Sequence, residues 1–390
     1  MRRAILCTLL PLALGACAGS TNGAFSAPTA TPGAQAPSAP AQLDLAALAH
    51  DQAALRAAVA AHTGPNAGAP WTAGTAYTLA AGPYTENSQA VAAMARRTVP
   101  ASGPVSLDGL DGGALAGAYL LVARTLGPAP ADPPACASPG VAGASPECLA
   151  RAGSDRLLAN WYARDTKTYF HVGDTSFEYR PVDAIATGCA LVVAGFREQD
   201  FDKIDAGQAI VTSELKTDFD PHYGFVYSRM SATAGGPRQP SDTTTHLADQ
   251  AGVAEVLLQA FDASREQQYQ AGAAKALEPL LQEPVTLRGR GYLSGFDVHG
   301  PGPAAGPVDV EATLLVLEAA HHYDVADGNH YANLEEVAAR AFADATSGLD
   351  LGQGLPATLV DGRPSTRSPL VTALGAAVLA ELAPAASPSQ

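Results

Sequence analysis

The sequence predicts an all-α protein, an α/α toroid of five to six helical hairpins with short β-hairpins or loops at one face. Three observations point there. Of 390 residues, 47% are hydrophobic but only 6% aromatic; the balance tilts to Ala, which has the best helix propensity and lets helices approach closely. Residues 245–281 read as two amphipathic helices around a polar turn at 262–266. Val253, Val256, Leu257 and Phe261 mark the first helix and Tyr269, Ala273, Leu277 and Leu280 the second, at helical spacing. The same plan recurs before and after, at a period longer than the common solenoid repeats.

Taken in order, the chain opens with Arg2 and Arg3, an apolar run over 4–14, and Leu14-Gly15-Ala16-Cys17. That pattern resembles a bacterial lipoprotein signal with its lipobox, and the run is too short to stay in a bilayer as a span. The expectation is a signal peptide over 1–16, lipidation of Cys17, and anchorage in the cell envelope, in the outer membrane where the organism has one. An ordinary signal peptide with an incidental Cys17 is the alternative. Residues 17–42 continue as Ala, Pro, Ser, Thr and Gly without charge, a tether that cannot bury enough apolar area to fold. Cys136 and Cys148 flank a Pro/Gly/Ser-rich loop, and in an exported protein they are expected to form a disulfide. Cys189, within IATGCALVVAG, reads as a buried small hydrophobe.

The folded domain is expected over 43–384, with a disordered tail at 385–390. One class of helix begins near an Asp: LDGGALAGAYLLVAR, VDAIATGCALVVAGF, ADQAGVAEVLLQAF and VDVEATLLVLEAAHHY, starting at Leu110, Val182, Ala248 and Val308. This register places Asp111, Asp183, Asp249 and Asp309 together; LVTALGAAVLAEL from Leu370 is a copy without the Asp. A second class carries an aromatic near its start: Phe201, Tyr269 and Tyr331. Gly/aromatic segments such as HYGFVYSRM and GRGYLSGFDVHGPGP return the chain between them. An open α-solenoid is the alternative architecture.

The stretch LADQAGVAEVLLQAFDASREQQYQAGAAKALEPLLQ, followed by GYLSGF, resembles the α/α-toroid region of YyaL-like and N-acylglucosamine 2-epimerase-like proteins, a six-hairpin glycosidase-like architecture. The resemblance covers about residues 150–350 and implies carbohydrate chemistry at one mouth of the ring.

At that mouth the sequence nominates His246, Asp249, Asp183 and Asp309 for catalysis, and Glu178, Arg180, Tyr227, Tyr292, Asp297 and His299 for substrate binding. Glu311 stands beside them. Paired carboxylates divide acid and base roles in glycoside chemistry, and Tyr faces hold sugar rings. The competing reading of each Asp is a helix cap. His321-His322 is expected at the surface near a helix end, and Asp200-Phe201-Asp202 and Asp218-Phe219-Asp220 at the start and end of an outer helix rather than in calcium loops. No cofactor or metal is expected: HExxH, paired CxxC, P-loop and GxSxG patterns are all missing. A formal charge of −15 without a basic patch argues against nucleic acid. The expected partners are the membrane, through the Cys17 lipid, and a glycan or an envelope protein. A carbohydrate-active enzyme and a non-catalytic binding lipoprotein both fit.

Overall fold

The computed structural model describes residues 112–126, 146–281, 291–299, 307–328 and 332–382, with six positions between 47 and 55. The signal, Cys17, the tether, Asp111, Cys136, the Cys148 side chain and the 385–390 tail lie outside the described residues.

The architecture is the expected α/α toroid. The helices are α1 (Gly112–Leu126), α2 (Pro146–Asn160), α3 (Pro181–Glu198), α4 (Phe201–Thr217), α5 (Leu247–Ser264), α6 (Gln267–Leu277), α7 (Val310–Asp327), α8 (Ala332–Thr346) and α9 (Pro369–Leu382). Inner helices α1, α3, α5, α7 and α9 pack side by side in that order, while α4, α6 and α8 each back the inner helix they follow. Leu55, fully buried, lies against α9, where a Cβ on Gly375 would come within 3.0 Å of it. A segment preceding α1 thus meets the last inner helix, as a ring requires and an open solenoid does not.

Side-chain size sets the spacing. Helices α3 and α4 touch backbone to backbone at Gly188 and Gly207; a Cβ on Gly207 would sit 2.5 Å from the Gly188 carbonyl. Cys189 beside this crossing is buried and free, as expected. The 245–281 pair turns at Arg265 and Glu266, a tighter turn than the expected 262–266; Arg265 takes the left-handed conformation (φ 59°) and closes α5 through its N–H to the Phe261 carbonyl. Asp200 caps α4 by accepting from the Asp202 and Lys203 N–H groups, and Asp218 ends that helix, both as expected.

The short strands are β1 (Tyr162–Ala163), β2 (Thr168–Tyr169), β3 (Ser176–Tyr179), β4 (Arg229–Thr233), β5 (Arg238–Asp242), β6 (Thr244–His246), β7 (Gly295–Asp297), β8 (Val308–Asp309), β9 (Thr358–Val360) and β10 (Arg363–Pro364). Strands β3, β6 and β8 lead into inner helices, and most of the others pair with them or extend their sheets. Three ladders join successive repeats: β3 pairs with β4, β6 with β7, and β8 with β9, all antiparallel. Each strand leading into an inner helix thus takes its partner from the next repeat's return segment, which satisfies edges that a local hairpin alone would leave open.

A buried clasp reinforces each ladder. Gln250, Thr313 and Thr372 occupy the fourth position of α5, α7 and α9, and their side-chain oxygens accept from the N–H of Val226 (2.7 Å), Tyr292 (3.1 Å) and Leu355 (2.8 Å). This clasp fixes the true repeat register.

Candidate functional site

In that register the residues just before the inner helices correspond: Arg180 before α3, His246 before α5, Asp309 before α7 and Ser368 before α9. The expected equivalence of Asp309 with Asp183 and Asp249 is therefore corrected. Asp309 is a true N-cap, its side chain accepting from the Ala312 N–H at 3.0 Å. Asp183 and Asp249 lie nearly a turn further on, inside the first turns of α3 and α5; Arg180 and His246 hold the cap positions and make no side-chain cap bond. Asp suits both a cap and a helix first turn, so the pattern alone did not separate them.

Asp183 and Asp249 face the mouth. The Arg180 guanidinium spans them, 2.5 Å from Asp249 Oδ1 and 3.8 Å from Asp183 Oδ1. Glu311, in the first turn of α7, has its carboxyl pushed up, first by burial and then by the charges of Asp309 and Asp249. Asp309 is also raised by burial, against the opposing pull of the Ala312 and Glu311 N–H groups and of His246. Four carboxyl groups from three inner helices, one guanidinium and one exposed imidazole thus share one electrostatic neighbourhood.

An aromatic wall closes one side. A Cβ on Gly112 would fall 2.6 Å from the Tyr169 hydroxyl and 2.9 Å from the Trp161 indole, and a Cβ on Gly113 would strike Asp183 at 2.4 Å. Two consecutive glycines at the start of α1 therefore seat the wall beside Asp183. Trp161, half-buried, stacks on Tyr169 with ring centroids 5.4 Å apart, and His171 leans on its other side at 4.6 Å. Behind the wall Arg238 donates to the Tyr169 carbonyl (2.7 Å) and the Tyr179 hydroxyl (3.0 Å) and pairs with buried Glu214. Sequence reading passed over Trp161 because Gly112, which it meets, lies on another repeat.

The rim is held by a residue the sequence reading assigned only to a helix end. Asp220, 2% exposed, accepts from the His222 and Tyr223 N–H groups at 3.0 and 2.7 Å. Its other oxygen receives the Tyr227 hydroxyl at 3.2 Å and lies 3.8 Å from His299 Nε2. His299 stacks on Tyr227, whose hydroxyl is pushed up to about 12 by burial and by Asp220. Exposed Asp297 accepts from Thr243 Oγ1 and from the His299 N–H. Glu178 is exposed on β3. Tyr292 is fully buried, so it packs the core instead of lining the mouth.

The expected surface position of His321-His322 is also corrected. The α7 helix runs on to Asp327, and His322 sits inside it, Nδ1 2.5 Å from Glu255 of α5 and Nε2 2.7 Å from Glu381 of α9. His321 lies 3.4 Å from Glu335. His321 thus faces α8, and His322 faces α5 and α9.

The class that the fold defines is the α/α toroid. Solved structures of similar fold include an unsaturated glucuronyl hydrolase specific for heparin, 16% identical over 87% of this chain and 97% of that one, at a TM-score of 0.58. A GH76 α-mannanase from Bacteroides thetaiotaomicron is 11% identical over 87% and 96%, at 0.56. A cellobiose 2-epimerase from Bacillus thermoamylovorans is 10% identical over 80% and 86%, at 0.51. No protein-family model and no curated protein sequence matches the chain. At these identities the likeness establishes the fold.

Proposed function

We propose that the mouth is the active site of a carbohydrate-active enzyme that breaks a glycosidic bond, in an exported protein anchored through Cys17. The observation that carries this reading is Glu311, whose carboxyl is raised by burial and by its neighbours Asp309 and Asp249. A raised carboxyl beside other carboxylates is how a glycosidase divides its acid and base roles. Glu311 gives its proton to the leaving oxygen. Asp249, oriented by Arg180, supplies the second carboxyl group, and Trp161 offers a face for a sugar ring. The structural neighbours support the reading, since their names are those of glycan hydrolases and a sugar epimerase.

The test is a reducing-end assay of the purified chain on neutral and uronate oligosaccharides. Glu311→Gln and Asp249→Asn should each lower kcat by about 10² or more while the fold is kept. Wild-type turnover should fall as pH rises through the Glu311 value, because the acid form is lost there. Binding without turnover would instead support a glycan-binding lipoprotein; turnover unaffected by both substitutions would remove this mouth as the active site.

A further inference from the structure

Below the mouth lies a second cluster that the proposed reaction does not use. Glu318 follows Glu311 by seven residues on the same face of α7, about 10 Å deeper along the axis. His322 lies one turn further on, and Glu255 faces both from α5. Glu255 and Glu318 are each 3% exposed. One carboxylate oxygen from each and one imidazole nitrogen of His322 lie within 4.8 Å of one another. Donor atoms around a tetrahedral zinc ion lie about 3.4 Å from one another, so shifts of up to about 1.5 Å would bring all three onto one ion.

The two His322 nitrogens have different neighbours. Nδ1 faces Glu255 at 2.5 Å, on the side of the cluster, and Nε2 faces Glu381 at 2.7 Å. A ligating imidazole characteristically has a carboxylate behind its second nitrogen, which fixes the ring and strengthens the donor. Glu381 of α9 stands in that place. We propose that Glu255, Glu318 and His322 form a binding site for a divalent transition-metal ion such as Zn²⁺, with Glu381 orienting the imidazole. The mixed nitrogen and oxygen donors select that class over Mg²⁺ or Ca²⁺, which take oxygen alone. Bound there, the ion clamps α5 to α7 beneath the mouth. The pattern was half legible, in the Glu318/His322 pair one helical turn apart; Glu255 comes from another helix and had no local signature.

The experiment is calorimetric titration of the chelator-treated full chain with ZnCl₂ at about pH 8, where protons compete less for the imidazole. The expected result is saturable binding of one ion per chain and a rise in Tm. Glu318→Gln keeps both His322 contacts, so it should fold, and it should weaken binding by about tenfold or more. Asp249→Asn, at the mouth, should leave binding unchanged. Co²⁺ bound to the wild-type chain supplies a check independent of any variant, since the hyperfine-shifted signals of its proton NMR spectrum report whether an imidazole nitrogen is a ligand. No saturable binding, unchanged affinity in Glu318→Gln, loss in Asp249→Asn, or a Co²⁺ spectrum without nitrogen ligation would each overturn the proposal.

Discussion

Asp218 shows how closely the protein controls single protons behind its mouth. The carboxyl is fully buried beside Glu214, and Oδ1 accepts from the Tyr179 hydroxyl at 3.1 Å and from Thr217 at 2.9 Å. Burial raises it well above the ordinary carboxylate range, and the Glu214 charge raises it further, with Arg238 opposing only in part. A raised folded value means that the folded chain keeps a proton the unfolded chain releases above about pH 4. The associated stability is full below that pH and is lost as pH rises towards the folded value. Asp218→Asn keeps the shape in a form that cannot ionise. Melting curves from pH 5 to 8 should therefore fall more steeply for wild type than for Asp218→Asn; parallel curves would show that Asp218 does not hold its proton. Little of this was legible beforehand, because Asp218 reads locally as a helix end and its partners Tyr179 and Arg238 belong to β3 and β5.

Among the elements, the helices were legible and the strand pairing was not. Helix periodicity is local: each turn of α5 or α7 shows its buried face in its own sequence. Ladder partners are chosen between repeats, as where Thr245 pairs with Phe296, and no short pattern encodes a partner 51 residues away. The same limit misplaced Asp309, whose register is fixed by the clasp at Thr313 and not by the Asp itself. That clasp is testable. Thr313 Oγ1 accepts the Tyr292 N–H at 3.1 Å, a buried bond, and donates to the Asp309 carbonyl at 2.7 Å. Thr313→Val preserves the shape but strands a buried N–H, which costs about 1 to 3 kcal/mol. The urea midpoint should drop accordingly with the slope unchanged; an unshifted midpoint would mean that the ladder holds without its clasp.

For the whole molecule, the open relation is between the ring and the membrane. No helix among the described residues is long and apolar enough to cross a bilayer, and the proposed attachment is the lipid at Cys17. Residues 17–42 carry no charge and so gain nothing from anionic headgroups. Attachment through lipid alone makes an all-or-none prediction. Cys17→Ser should move the full-length chain from the membrane fraction to the soluble one after expression with its own leader, while Tm and any glycan turnover of the ring stay as in the wild type. Retention of Cys17→Ser in the membrane fraction would place the anchor elsewhere. A loss of turnover on release would mean that the mouth acts only when held at the membrane.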